Sequence, residues 1–514
     1  MKCSISQRLG VLKRRIRGRL DRANGVAKYE RAYSGAPPVL QATGIQYELA
    51  EKARGIAHGG APLMLRLAKQ CGLVDAIDRH LQLLKIHAPY HESDHVMNLA
   101  LNALCDGDCL QDIELRRNDE AYLDALGTAS IPDPTTAADF CRRFSAEHIG
   151  SLNRAIDEAR LKVWGQQSPE FFEEAVIDSD GTIVETQGEC KAGMDISYDG
   201  RWGFHPLVVT LANTGEVLRL VNRSGNRPSH EGAAEMADEC VDLCRRAGFR
   251  RIRLRGDTDF SQTRHLDRWH ANGVVFSFGM DANPKLAALA ENLPETAWKK
   301  LQRPAKYSVR TEPRGRKRNI KRAIIRRRKF LHLKLKSEQV AEFLYQPSAC
   351  ERTYRMIVIR KNISQEKGEK VLFDQIRYFF YISNDPHRTS TEVVFDCNDR
   401  CNQENQIAQL SGGVGALQAP VDNLVSNWAY MLMTSLAWTL KAWAALLLPV
   451  NNGCRQQHTE ERRQLLRMEF KTFVNAFIRI PCQIVRQARR RIVRVLNWNP
   501  YLPALFRLAT VLNC

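Results

Sequence analysis

Three acidic residues in three separate sequence contexts have the side chains needed for metal-dependent chemistry. Asp180 lies in AVIDSDGTIVE, which is typical of a strand, Asp257 ends a second strand-like run, RIRLRGD, and Glu404 lies in DRCNQENQIAQL, which is typical of a helix. Carboxylates at strand ends and on a neighbouring helix supply the oxygen ligands that Mg²⁺ prefers. Two such ions can activate an attacking oxygen and stabilise a leaving oxygen. The three acids therefore predict a site for phosphoryl transfer.

The charge of the chain indicates a polyanionic partner. The 514 residues carry a net charge of +19. The excess is concentrated in residues 1–35, 314–329 and 455–494, and the middle block has ten Lys or Arg and no acid. A basic run is often only a solvated face or tail, but three such blocks favour contact with phosphates. Together with the predicted chemistry, this favours a nucleic acid as the partner.

The elements that must position the acids follow a definite order along the chain. Strands are predicted at AVIDSDGTIVE, at FHPLVVTLA, at GEVLRLV and at RIRLRGD, and a hairpin turn at Asn213–Gly215 joins the second strand to the third. A helix with Ser229 as a candidate cap and Gly248 as its stop precedes the last strand. The order strand-strand-strand-helix-strand therefore places acids on the first and fourth strands.

The chain divides into six segments by composition and by predicted elements. The helical segment before the acids could read DNA, although a plain packing domain is equally compatible with its sequence. The segments are a basic arm (1–55), a helical DNA-binding region (56–170), the first part of the catalytic core (171–280), a β-rich insertion (281–386), the second part of the core with the Glu404 helix (387–450) and a basic C-terminal helical region (451–514).

Cysteine usage and hydropathy both favour a cytoplasmic protein. The fourteen cysteines are scattered, and no CxxxC pair has the His or Cys partners of a zinc site, so free thiols in a reducing compartment are expected. The N-terminus lacks the apolar core of a signal peptide. The segment from Trp428 to Val450 is apolar, but Lys441 near its middle favours a buried helix over a membrane span. We therefore expect a bacterial-type cytoplasmic protein that associates with the nucleoid.

The order of elements and three short motifs resemble the ribonuclease H-like core of DDE transposases. DGT at Asp180–Thr182 is similar to the D-x-T of the family's first strand, and RGDTDF at Arg255–Phe260 is similar to the motif of its second Asp. Arg400 and Glu404 fit the signature Y-x2-R-x3-E-x6-K. The resemblance begins near Pro132, covers most of the chain and is strongest to insertion-sequence transposases of family thirteen-eighty. It implies an α/β fold, in which a ribonuclease H-like mixed sheet with flanking helices is interrupted by the β-rich insertion and joined to helical N- and C-terminal regions.

Two positions of the catalytic triad have a close alternative. Asp178 and Asp180 are two residues apart and face the same side of a strand, so periodicity does not separate them. Thr182 favours Asp180 as the first acid, with Asp178 as the alternative. Asp257 is preferred to Asp259 because it directly ends its strand.

The third motif departs from the family signature at two positions. Cys397 stands where the signature has Tyr, and Ser411 stands where it has Lys. At offsets of 0, 3, 7 and 14 residues, Cys397, Arg400, Glu404 and Ser411 would share one face of a single helix. The loss of the Lys removes one expected phosphate contact and leaves the carboxylate in place.

The resemblance implies a DNA transposase in which Asp180, Asp257 and Glu404 hold two Mg²⁺ or Mn²⁺ ions. It would cut double-stranded DNA at terminal inverted repeats and join the ends to target DNA, as a dimer on DNA, without a nucleotide cofactor or a membrane. Two alternatives are a metal-dependent nuclease of the same fold and a catalytically inactive, basic DNA-binding protein. The expected DNA contacts are Arg400 and the basic residues of the middle block, namely Arg314, Arg316, Lys317, Arg318, Arg326, Arg327 and Arg328.

Overall fold

The structure is a computed structural model that describes Lys13 and residues 16–21, 54–303, 319–368, 370–487 and 490–514. The chain divides into two compact units, Met1–Ala53 and Arg54–Cys514. The described residues of the first unit are helical. The second unit contains all the strands and helices described here. The boundaries of the six segments expected from the sequence stay predictions.

The strands form one large sheet and two small ones. In the described ranges they are β1 (Gly55–Ile56), β2 (Glu174–Gly181), β3 (Val184–Glu185), β4 (Asp195–Ile196), β5 (Trp202–Phe204), β6 (Leu207–Leu211), β7 (Glu216–Val221), β8 (Arg251–Gly256), β9 (Val275–Met280), β10 (Lys299–Lys300), β11 (Leu331–Tyr345), β12 (Tyr354–Lys367), β13 (Lys370–Ser383), β14 (Cys482–Gln487) and β15 (Arg490–Val495).

The helices flank the large sheet and build the N-terminal and C-terminal regions of the second unit. They are α1 (Ala61–Gln70), α2 (Leu73–His80), α3 (Glu92–Leu104), α4 (Ile113–Arg117), α5 (Glu120–Leu126), α6 (Pro134–Arg142), α7 (Ala146–Trp164), α8 (Ala233–Ala247), α9 (Leu266–Ala271), α10 (Pro284–Glu291), α11 (Ile320–Arg327), α12 (Ser390–Asp399), α13 (Cys401–Ala408), α14 (Leu424–Leu446), α15 (Arg455–Arg467), α16 (Phe470–Phe473) and α17 (Leu502–Val511).

The core of the large sheet has the order β7-β6-β2-β8-β9. β6 is antiparallel to β2, whereas β8 is parallel to β2 and β9 is parallel to β8. Every residue of β6 is buried, as expected for a strand covered on both faces. The order and directions confirm the predicted ribonuclease H-like mixed sheet. They bring the carboxyl ends of β2 and β8 to the same edge.

The helix before β8 starts later than the sequence predicts. α8 begins at Ala233, and its N-cap is Gly232 in the left-handed conformation, so the prediction that Ser229 caps it is wrong. Its end is as predicted, because Gly248 has a φ of +99° and closes the helix. Only a glycine adopts such a φ without strain.

The β-rich insertion continues the core sheet. The last four residues of β13, Phe380–Ser383, pair antiparallel with Ser277–Met280 of β9, and β12, β11 and β10 follow outward. Because β13 runs antiparallel to β9, its residues before Phe380 extend past the carboxyl ends of the parallel strands. In the described residues, β12 is the only neighbour of that part of β13. The insertion therefore projects from the edge at which Asp180 and Asp257 lie.

A buried glutamate binds side chains of two helices, α7 and α14, and links them to the sheet. Glu216 begins β7 and is fully buried. Its carboxylate accepts hydrogen bonds from the indole nitrogens of Trp164 at 2.9 Å and Trp443 at 2.7 Å, and from Nε of Arg160 at 3.2 Å. Such a charge is stable in the interior only because every oxygen is paired. It fixes α7 and α14 against the β6–β7 hairpin.

The C-terminal region differs in part from its prediction. The apolar segment forms the buried helix α14, as expected, and no single helix among the described residues is long and apolar enough to span a membrane. The helical prediction for residues 451–514 is wrong for β14 and β15, which form an antiparallel hairpin. β-Branched Ile484, Val485, Ile492 and Val493 favour extended backbone.

Candidate active site

Two of the three predicted acids lie at the same edge of the core sheet. Asp178 of β2 pairs with Arg255 of β8, so Asp180 and Asp257 follow side by side, two residues further along each strand. Asp257 comes directly after β8. Its carboxylate accepts a 3.0 Å hydrogen bond from the backbone N–H of Asp259 and caps the short turn Thr258–Phe260. Strand ends of this kind commonly carry the functional groups of open α/β sheets.

The third acid, Glu404, lies on the second of two helices that are separated by a break. α12 ends at Asp399 and α13 begins at Cys401, with Arg400 between them. Glu404 lies in the first turn of α13, whereas Ser411 lies in the π-helical turn Gln409–Gly413 that directly follows α13. The expectation of one continuous helical face from Cys397 to Ser411 is therefore wrong.

Arg400 is the point at which the three acids meet. Its Nη1 donates a 2.9 Å hydrogen bond to Oδ2 of Asp180, and its Nη2 lies 3.8 Å from Oδ2 of Asp257 and 3.9 Å from Oε1 of Glu404. The structure thus brings together the three acids that the sequence predicts and Arg400 of the same motif.

The three carboxylates differ strongly in exposure. The side chain of Asp180 is 15% exposed, that of Asp257 36% and that of Glu404 64%. Burial, together with the negative charge of Asp257, raises the pKa of Asp180 to about 6, and Arg400 limits the rise. Burial likewise raises the pKa of Asp257, again opposed by Arg400. Perturbed carboxylates at an exposed edge are typical of functional sites.

Asp178, the alternative first acid, lies outside this cluster. Its two carboxylate oxygens each accept a 2.7 Å hydrogen bond from the guanidinium of Arg255, and the residue is 1% exposed. The geometry therefore places Asp180 beside Asp257 and Glu404, and it places Asp178 in a sealed ion pair. Asp259, the alternative second acid, is exposed.

Arg255 belongs to a buried charge network that the sequence did not predict. Its Nη1 donates a 3.1 Å hydrogen bond to Oδ1 of Asp396, and Arg388 lies 2.7 Å from the same oxygen. Arg253, two residues earlier in β8, contacts Glu174 at 3.1 Å and Asp396 at 3.6 Å. Because Asp396 is on α12, the network fixes that helix to the sheet just before Arg400. Two arginines within the apolar pattern of β8 were the signal in the sequence.

The side-chain chemistry of the three acids fits a hard divalent cation, and Arg400 lies among them. Three carboxylates are the donor set that Mg²⁺ and Mn²⁺ prefer. Across the described part of the chain, no three Asp, Glu, His or Cys side chains already stand as a metal-binding group. The guanidinium of Arg400 lies within 3.9 Å of an oxygen of each of the three carboxylates.

The predicted DNA contacts of the middle basic block fall in two groups. Arg326, Arg327 and Arg328 lie at the end of α11 and are exposed. Arg314, Arg316, Lys317 and Arg318 lie outside the described residues.

The match of the chain to a protein-family model agrees with the predicted class. The model of a protein family described as "Transposase DDE domain group 1" matches residues 53–513. A similar solved structure is described as a cryo-EM structure of the piggyBac transposase synaptic complex with hairpin DNA. It shares 10% sequence identity with this chain and has a TM-score of 0.35, and the match covers 84% of this chain and 83% of that one. A search of curated proteins finds no match. The family match leaves the assignment to family thirteen-eighty as a prediction.

Proposed function

Because the chain belongs to the transposase DDE domain family, we propose that it cuts DNA at terminal inverted repeats and joins the freed 3′ ends to target DNA. The observation that carries this proposal is the convergence of Asp180, Asp257 and Glu404 on one guanidinium. Three acids from two parallel strands and a helix meet at one exposed edge, where a DNA backbone can approach.

Asp180, Asp257 and Glu404 would hold two Mg²⁺ or Mn²⁺ ions. Bound ions would supply activation of the attacking oxygen and stabilisation of the leaving oxygen. Asp180 has a pKa of about 6, so its carboxyl is mostly ionised at neutral pH and available as a ligand. Asp257 and Glu404 complete the set from the adjacent strand and from α13.

Arg400 has two consecutive roles in this proposal. In the structure its single positive charge offsets the repulsion between three acids. The three carboxylates in turn raise the pKa of Arg400, against the effect of its partial burial. If the three acids held cations, the planar guanidinium of Arg400 would be free to bind a phosphate of the DNA through two parallel hydrogen bonds.

Basic surfaces outside the site would hold the DNA backbone without reading its sequence. The exposed residues proposed for these contacts are Arg326, Arg327 and Arg328. Four more are proposed from the sequence alone, namely Arg314, Arg316, Lys317 and Arg318. The helices between residues 56 and 170 would contribute to the recognition of the element's ends. Two ends must be held together for joining, so we propose a dimer on DNA.

The test is a cleavage and joining reaction with purified full-length protein. The substrate is a linear duplex that carries the DNA flanking the coding region, incubated with Mg²⁺ or with EDTA. The proposal predicts Mg²⁺-dependent cuts that leave 3′-hydroxyl ends at the inverted repeats. It also predicts that pre-cut ends are joined to a target plasmid.

Two other outcomes would replace the proposal. Mg²⁺-dependent cutting without joining of pre-cut ends would identify a nuclease. Binding to the DNA without cutting in Mg²⁺ or Mn²⁺ would identify an inactive DNA-binding protein.

A further inference from the structure

The hairpin of β14 and β15 is a basic ribbon with two different faces. The register pairs Cys482 with Val495, Ile484 with Val493 and Arg486 with Arg491 on one face. The intervening pairs, on the other face, are Gln483 with Arg494, Val485 with Ile492 and Gln487 with Arg490. The described residues of the two strands include four arginines and no acid. We call the first face the inner face and the second the outer face.

The inner face is anchored to the N-terminal helices. Cys482 and Ile484 are buried. Nε of Arg486 donates a 2.8 Å hydrogen bond to Asp124 at the end of α5, and Nε of Arg491 lies 3.4 Å from the same carboxylate oxygen. The side chain of Asp124 is only 2% exposed, so these guanidiniums compensate a buried charge. The inner arginines are therefore committed to holding the ribbon in place.

The side chains of the outer face do not take part in the contacts with Asp124. Gln487, Arg490 and Arg494 are exposed, and Gln483 is half-buried. A 3.3 Å hydrogen bond from Nη1 of Arg494 to Oε1 of Gln483 links the two strands at the base of the ribbon. β1 pairs with Cys482 and Gln483 of β14, and the backbone N–H of Ile484 donates a 2.9 Å hydrogen bond to the carbonyl oxygen of Arg54. Beyond Ile484, the only strand that pairs with β14 among the described residues is β15. The outer face of this two-stranded ribbon thus carries one Gln–Arg pair on each side of the apolar pair Val485–Ile492.

The side chains of the outer face are those that read bases. Arg pairs with guanine and Gln with adenine through two hydrogen bonds each in the major groove, which is about 12 Å wide and admits a two-stranded ribbon. The major groove of duplex RNA is too deep and narrow for such side chains. The ribbon also lies against α5, within the helical region that the sequence predicts to bind DNA.

We propose that the outer face of the β14–β15 ribbon enters the major groove of double-stranded DNA and reads its sequence through Gln483, Gln487, Arg490 and Arg494. This inference rests on the proposed function only in taking DNA as the partner. It separates two kinds of arginine in one hairpin. Arg486 and Arg491 position the ribbon, and Arg490 and Arg494 contact bases.

The experiment begins with selection from a library of DNA duplexes with a randomised central segment, using full-length wild-type protein. The wild type should enrich a defined motif. Affinities are then measured for the enriched duplex and for a scrambled duplex of the same composition. Library selection needs no knowledge of the natural ends, and it involves no cleavage.

Two double variants test the outer face. Arg490→Ala with Arg494→Ala should weaken binding to the enriched duplex by about tenfold or more, and binding to the scrambled duplex far less, because base contacts are lost. Gln483→Ala with Gln487→Ala keeps the charge and should lose discrimination with an unchanged salt dependence. Thermal unfolding of both variants should stay close to that of the wild type, since Gln487, Arg490 and Arg494 are exposed and Gln483 is only half-buried.

A matched control and three contrary outcomes complete the design. Arg467→Ala removes an exposed arginine of α15 and should weaken binding to both duplexes equally and slightly. The inference is overturned if the wild type enriches no motif, if both double variants discriminate like the wild type, or if the arginine variant loses affinity equally for both duplexes. Sequence-specific binding without Mg²⁺-dependent cleavage would contradict the proposed function alone. Cleavage with unaltered discrimination in the variants would contradict the ribbon alone.

Discussion

Two clusters of acids and arginines lie two residues apart along β2 and have opposite characters. In the inner cluster, Arg255 binds both oxygens of Asp178 at 2.7 Å and also binds Asp396. In the outer cluster, Arg400 makes one close contact, to Asp180, and two longer ones, to Asp257 and Glu404. The inner cluster is buried, and the outer one opens toward solvent through Glu404.

The difference shows how the same residue types serve structure in one place and chemistry in another. In the inner cluster, close geometry and several arginines compensate every acid, which is the condition for stable buried charge. In the outer cluster, one arginine is shared among three acids, so negative charge remains in excess. An excess of carboxylate at an open edge attracts cations.

The inner cluster should collapse when its arginine is removed. Arg255→Ala leaves Asp178 and Asp396 buried with too few partners, and the free energy of unfolding should fall by about 3–5 kcal/mol. Urea unfolding measures this change. The control is Arg251→Ala on the same strand as Arg255. It removes an exposed arginine that contacts Glu174 of β2 and should cost under about 1 kcal/mol. Equal effects of the two substitutions would contradict a structural role for the inner cluster.

The outer cluster should make stability depend on pH through Asp180. The folded state raises the pKa of Asp180 from 3.8 to about 6, so the folded chain binds this proton more tightly than the unfolded chain. The unfolding free energy should therefore fall as the pH rises from about 4 to about 6, by about 3 kcal/mol from this group. Asp180→Asn should remove that part of the fall. Urea unfolding in EDTA at several pH values measures it, and parallel curves for the two proteins would contradict the assignment.

Arg400 should compete with cations for the three carboxylates. Arg400→Gln removes the positive charge between them, so Mn²⁺ affinity of the DNA-free protein should rise by about tenfold, or about 1.4 kcal/mol. Isothermal titration of Mn²⁺ into both proteins makes the comparison. Unchanged or weaker binding by the variant would show that the arginine does not occupy the space needed by a cation.

Glu404 should matter least for stability. Its side chain is mostly exposed and its contact with Arg400 is 3.9 Å, so Glu404→Gln should change the free energy of unfolding by under about 0.5 kcal/mol. Urea unfolding again provides the measurement. A fall of several kcal/mol in the free energy of unfolding would mean that Glu404 stabilises the fold, as the acids of the inner cluster do.

The sequence predicted the core and the three acids because both rest on local patterns. Buried strands, a hairpin turn and a glycine stop carry their own signals, and Asp180, Asp257 and Glu404 lie in recognisable motifs. The choice between Asp178 and Asp180 depends instead on their partners in the fold: Arg255 of β8 binds Asp178, and Arg400, between α12 and α13, binds Asp180. Periodicity contains no such information. The sequence does not predict the β14–β15 ribbon. Its basic residues favour an exposed helical segment, and they outweigh the preference of its β-branched residues for a strand.

The partners in the buried charge network of Arg253 and Arg255 are likewise not predictable from local sequence patterns. Arg253 and Arg255 stood in the predicted strand, but their acids come from Glu174, Asp385 and Asp396, far away in sequence. Only the folded sheet and α12 bring these charges together. Contacts of this kind are long-range by nature, and a single sequence does not specify them.

The central claim is that the outer cluster performs the chemistry, and cleavage by Glu404→Gln tests it most directly. The substrate is duplex DNA with the flanking ends, in Mg²⁺, and the control variant is Asp259→Asn, which changes an exposed acid beside Asp257. The account predicts that Glu404→Gln folds normally, binds the DNA and does not cut it, whereas Asp259→Asn cuts like the wild type. Wild-type cleavage by Glu404→Gln would contradict the account.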